Sequence, residues 1–103
     1  MATDIEILKV EDIALSPGVA ALLVPASAVG RTRFVRVQNV GNQPIEIHTT
    51  ETGPYVSRLT KEGEVGSILE INYISGRSYL PIWGTAAVGN TTARVFVARE
   101  IQT

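Results

Sequence analysis

Cysteine is absent from the 103 residues, and histidine, tryptophan and methionine each occur once. Without thiols the chain can form neither a disulfide nor a thiolate metal site. A lone histidine, His48, removes multi-histidine metal centres and most imidazole-based mechanisms. Charge is also scarce. Charged residues make up 18%, against about 25% in an average soluble domain. The nine basic and ten acidic residues are scattered, for a net charge of −1, so there is no basic stripe of the kind that tracks nucleic acid. No apolar run approaches the ~20 residues of a membrane-spanning helix. The opening MATDIEILKVED carries acids where a secretory leader needs bases. Neither a nucleic-acid nor a membrane partner is expected, and synthesis in the cytoplasm without a readable export signal is.

Apolar residues are plentiful by contrast, at 45%. A domain this small has a high surface-to-volume ratio and needs more polar cover than a large one. A lightly charged short chain is therefore expected to hide apolar surface against copies of itself or a larger partner.

The stretch Arg31 to Ile47 organises the reading. Val35 and Val37 alternate with Phe34, Arg36 and Gln38, and Ile45 and Ile47 alternate with Glu46 and His48. Period-two alternation on both sides of a Gly/Asn/Pro cluster (Asn39 to Pro44) predicts two strands joined as a hairpin. Upstream, Asp4 to Val10 reads as a strand at an edge, residues 11–15 are ambiguous, and Ser16-Pro17-Gly18 is a turn. Val19 to Val24 reads as a strand buried on both faces. Beyond His48 lies a long polar loop to Gly66, with a short strand at Tyr55 to Leu59. Ser67 to Ser75, Tyr79 to Thr85 and Ala93 to Arg99 complete the series. Pro81 marks the second of these as an edge or bulged strand. The punctuation predicts an all-β fold: an antiparallel β-sandwich or small barrel of about seven to nine short strands. Residues 1–15 form an N-terminal arm or edge strand, and 16–103 a single β-sandwich domain.

Little in the chain could carry chemistry. Asp4, Glu6, Glu11 and Asp12 lack the glycine-punctuated spacing of a calcium loop. Gly63 and Gly66 accompany no phosphate-binding lysine or helix. Arg31, Arg33 and Arg36 read as a solvated face or ion-pair partners. Asn90-Thr91-Thr92 matches a glycosylation sequon by chance, given no secretion signal. No catalytic residue, cofactor site or metal site is assigned, and the chain is not expected to be an enzyme. The aromatic residues support one ligand hypothesis. Tyr79 and Trp83 fall four apart on a strand, with Tyr73 across from them, and a flat aromatic platform with a polar rim binds sugars. The competing reading places Trp83 in the core or at a subunit interface.

The segment LLVPAxxxGRTRFVRVQNVGNQPIEI resembles the opening of many small virion proteins of tailed bacteriophages. In these an LVPA-like strand and a basic residue precede an apolar strand ending in Q-N-x-G, followed by a strand of alternating isoleucine or valine. The likeness continues through the apolar strand after the Gly-rich loop (Gly63 to Ile74), an aromatic-then-small segment (Tyr79 to Ala87) and the closing ARVFVARE. It spans Leu22 to Glu100, about three quarters of the chain. Two departures stand out: Gly84-Thr85 follows Trp83, and Asp4 to Leu15 looks like an addition. The resemblance implies a capsid decoration or cement protein, located on the capsid surface of the virion. Its partners would be the major capsid protein and other copies of itself, often as a homotrimer. The candidate partner contacts are Ile5 and Ile7 in the N-terminal segment, with Tyr55 and Arg58 in the long loop. The rival readings are a carbohydrate-binding or host-adhesion module using Tyr73, Tyr79 and Trp83, and a head-completion or tail component.

Overall fold

In the computed structural model, residues 3–26, 32–72 and 80–102 are described. They form eight strands: β1 (Thr3–Leu15), β2 (Ala21–Val24), β3 (Thr32–Asn39), β4 (Ile45–His48), β5 (Ser57–Leu59), β6 (Ile68–Asn72), β7 (Ile82–Ala86) and β8 (Thr91–Gln102). All ladder pairings are antiparallel. One sheet has the order β1-β8-β3-β6 and the other β2-β7-β4-β5. The all-β expectation holds, and the architecture is a β-sandwich.

Alternation explains which side of each strand faces inward. In β3, Val35, Val37 and Asn39 are buried, while Phe34, Arg36 and Gln38 are half-buried on the outer side. Val95 and Val97 of β8 lie opposite Val37 and Val35 and join the same core. The second sheet contributes Leu23, Ile45, Ile47, Leu59 and Ile82. Fully burying a side chain of this kind stabilises the fold by about 1.5–3 kcal/mol. Leu69 and Ile71 of β6 pack at the margin of this core, on the common face their spacing predicts.

The hairpin expectation for β3 and β4 is overturned. β3 pairs with β6 and β8, whereas β4 pairs with β5 and β7, so the two strands lie in different sheets. The cause is the connection, whose backbone groups bond away from a hairpin ladder. Val40 N donates to Thr92 O (3.0 Å), Glu62 N to Gly41 O (3.0 Å) and Ala87 N to Pro44 O (3.1 Å). Residues 40–44 are a corner that carries the chain from one sheet to the other.

Three smaller expectations also change. β2 is not buried on both faces: it is an edge strand, and Leu22 is exposed. β7 is not an edge strand, because it lies between β2 and β4 with Pro81 just before its first residue. Of the two alternatives the bulge is the one present, as a register shift between Leu22 and Val24 in its ladder with β2. The ambiguous residues 11–15 simply continue β1. Its ladder with β8 shifts register between Ile7 and Lys9, which places Leu8 at a bulge, and then runs regularly to Leu15.

Past that bulge, Lys9, Glu11, Ile13 and Leu15 pair with Val97, Val95, Ala93 and Thr91, and so point to the inner side. Leu15 is core and Ile13 packs against it. Lys9 and Glu11 sit where the sandwich opens at its edge. The Lys9 ammonium donates to Leu23 O of the opposite sheet (3.0 Å) and pairs with Glu11 (3.3 Å). Inward charges and a bulge on an edge strand discourage unwanted strand pairing.

Candidate functional site

The candidate contacts divide between the two sheets. The backbone of Ile5 pairs with Glu100, and its side chain lies outside the described residues. Ile7 is 58% exposed on the outer side of the first sheet, opposite Ala98. Arg58 lies in β5 of the second sheet, and Tyr55 in the connection just before that strand; the two side chains meet. The Arg58 guanidinium lies 5.4 Å from the Tyr55 ring centroid, within the range of a cation–π contact. It also donates to Glu46 Oε2 at 3.0 Å. Arg58 and Glu46 are direct cross-strand partners, so the pairing register itself brings these opposite charges together. Tyr55 remains half exposed.

Trp83 is not a core residue. It sits on the outer side of β7, half-buried, with Ile82 and Gly84 facing inward. Leu22 lies opposite it on β2 and His48 opposite it on β4. Its expected companions Tyr73 and Tyr79 lie outside the described residues. His48 Nδ1 donates to Gly53 O at 2.9 Å, because a carbonyl can only accept. His48 Nε2 is buried and, among the described residues, has no hydrogen-bond partner. The histidine thus braces the loop after β4.

Sequence reasoning missed an apolar surface on the outer side of the first sheet. Ile7 and Val10 of β1, Phe34 of β3, and Phe96 and Ala98 of β8 share that side by register. Val10 is 64% exposed. Phe34 and Phe96 meet edge to face, with centroids 5.9 Å apart and planes at 70°, the geometry that aromatic quadrupoles favour. Arg36 places its guanidinium 5.4 Å from the Phe96 centroid. Alternation in β3 and β8 pointed to the odd-numbered valines as core; the two phenylalanines, on even positions, were the available signal.

One ion pair shares this side of the sheet by register. Arg94 makes a two-pronged contact with Asp12, Nε to Oδ1 at 2.9 Å and a terminal nitrogen to Oδ2 at 3.1 Å. Hydrogen bonding to that guanidinium holds the Asp12 carboxyl below its ordinary range, and the same contact raises Arg94. Arg99 pairs with Glu6 at 2.9 Å. Glu6, Glu11 and Asp12, considered above as cation ligands, each face a basic side chain instead. Among the described residues, no group of three or more His, Cys, Asp or Glu side chains could hold a metal ion. No helix there is long and apolar enough to cross a membrane.

A shallow cleft of about 290 Å³ opens at the end of the sandwich, lined in part by Leu15, Gly41, Asn90 and Thr91. None of the sequence candidates lines it. In comparisons with known proteins, no family model, no curated protein and no solved structure matches the chain.

Proposed function

We propose that this chain is a structural virion protein, without catalytic activity, that decorates or cements a bacteriophage capsid. It binds the major capsid protein and other copies of itself, as a homotrimer on the capsid surface. The observation that carries this reading is the apolar outer side of the first sheet. Ile7, Val10, Phe34 and Phe96 lie together on a face that a lone sandwich domain would cover with polar residues. The resemblance of Leu22 to Glu100 to small virion proteins supplies the kind of assembly. Neither nucleic acid nor a membrane is required as a partner.

The test is the solution mass, measured by light scattering behind a sizing column, followed by binding to heads assembled without this chain. A mass near three chains and saturable binding to such heads are the expected results. A monomer that does not bind heads overturns the proposal.

A carbohydrate-binding role is the second reading, favoured by one observation: Trp83 faces outward between Leu22 and His48. Fluorescence of the single tryptophan reads it directly. A saturable shift on titration with a glycan supports this role, and an unchanged spectrum across a glycan panel removes it.

A further inference from the structure

The loop between β5 and β6 holds one side chain in a position that the fold does not need. Val65 is 99% exposed. Isolated exposed apolar residues are common, and exposure alone carries no function; the fixed backbone beneath Val65 is the added feature. This loop is tied at several points. Thr60 N donates to Gly66 O (3.2 Å), Glu64 N to Lys61 O (3.2 Å) and Ser67 N to Glu64 O (3.3 Å). The Thr60 hydroxyl donates to the carbonyl of Val65 itself at 2.9 Å. Gly63 and Gly66 have φ of +84° and +88°, a backbone region that side chains other than glycine rarely adopt. The base is anchored in buried structure: Asn39 Nδ2 donates to Thr60 O (2.9 Å) and Asn39 N to Ser67 O (2.9 Å).

Valine is also stiff about χ1. Its side chain is therefore offered in one direction, with most of the ordering entropy of a binding loop already met by the fold. The charges around it are Lys61, Glu62 and Glu64, all exposed. Among the described residues none of the three is in an ion pair.

We infer that the Thr60–Ser67 loop is a preformed docking knob, with Val65 entering a shallow apolar socket on a partner protein whose rim is basic. The inference rests on the assembly reading above and names the part of the chain that touches the shell. A second copy is the poorer occupant. A two-fold contact through this loop would set Glu62 and Glu64 against their own counterparts, and like charges across an interface are repulsive.

The experiment measures binding of the full chain to heads assembled without it, for wild type, Val65→Ser and the pair Glu62→Gln with Glu64→Gln. Val65→Ser should weaken binding about tenfold or more and leave the melting temperature unchanged, because nothing in the domain packs on that side chain. The glutamine pair should weaken binding at low salt and flatten its salt dependence. Undiminished binding by Val65→Ser overturns the knob while leaving the assembly reading intact. Failure of the wild-type chain to bind heads overturns both. A Val65→Ser variant whose solution mass falls identifies a second copy as the occupant and likewise overturns the inference.

Discussion

Asn39 Oδ1 accepts a hydrogen bond from the Thr91 hydroxyl at 2.9 Å, joining two buried residues 52 positions apart. The same oxygen accepts from Gly41 N (3.0 Å), and Nδ2 donates to Gln43 O (2.7 Å) and Thr60 O (2.9 Å). One amide thus uses all four of its bonding positions. It holds together the corner after β3, the start of β8 and the base of the knob loop.

Replacing Asn39 with Ala should cost about 3–5 kcal/mol of stability, since it leaves several buried polar groups without partners. Leucine should do no better, because it fills space and satisfies none of them. Urea denaturation of the two variants checks this. A loss under about 1 kcal/mol would mean that water replaces the amide.

Gly41 is required by the closeness of β8. A Cβ there would collide with Thr91 Oγ1 and lie 2.9 Å from Thr92 N. Gly41→Ala should therefore lower the melting temperature by several degrees. Adding Thr91→Ala removes the nearer contact and leaves the backbone one, so the double variant should show no recovery to wild-type stability.

Leu23 and Gly84 face each other across the inner side of the second sheet. A Cβ on Gly84 would approach Leu23 Cδ1 to 2.7 Å. Leu23→Ala alone should destabilise by about 2–5 kcal/mol, and Gly84→Ala alone by about 1–3 kcal/mol. Combined, they should cost less than the sum, because the new methyl enters the space that the leucine leaves. A double-mutant cycle by chemical denaturation reads the coupling.

The Asp12–Arg94 contact gives an acid dependence of known sign. The folded state holds the Asp12 carboxyl below its ordinary value, so the stabilisation is present above the unfolded-state pKa. It is lost as pH falls through the depressed value. Both groups are solvent-accessible, and the effect should be small and weakened by salt. In melting curves taken from neutral pH down to strong acid, Asp12→Asn should lose part of the wild-type decline. A variant with an unchanged decline would assign it to other carboxylates.

Strand positions were readable because they depend on neighbours in sequence. The alternation of Val35 and Val37 with Phe34 and Arg36 predicts the inward side of β3 correctly. Sheet membership was not readable, because it is set by contacts far along the chain. Residues 39–44 look like a hairpin turn until Thr92, Thr60 and Ala87 are seen to claim their hydrogen bonds. The extent of β1 was hidden for a similar reason: the bulge at Leu8 shifts the alternation, so Ile7 and Ile13 fall on opposite sides. Among the candidate contacts, the meeting of Tyr55 with Arg58 was not readable either: three apart on the expected strand they would point to opposite faces, and they meet because Tyr55 precedes β5. The outward setting of Trp83 was hidden as well, since an alternating strand presents either parity to the core. Val65 gave no sequence signal, because its exposure depends on a loop closed by backbone bonds.

The first sheet has a temporal consequence. β8 lies between β1 and β3 and supplies the only ladder for β1 among the described residues. Pairings such as Ile13 with Ala93 must close loops of about eighty residues before they return any stabilisation. On a ribosome, β1 and β3 would emerge first and wait, unpaired on those sides, until β8 is synthesised. Folding should therefore be slow for a domain of this size and complete only after β8 has cleared the exit tunnel. A stalled chain lacking that strand would present sticky edges to chaperones.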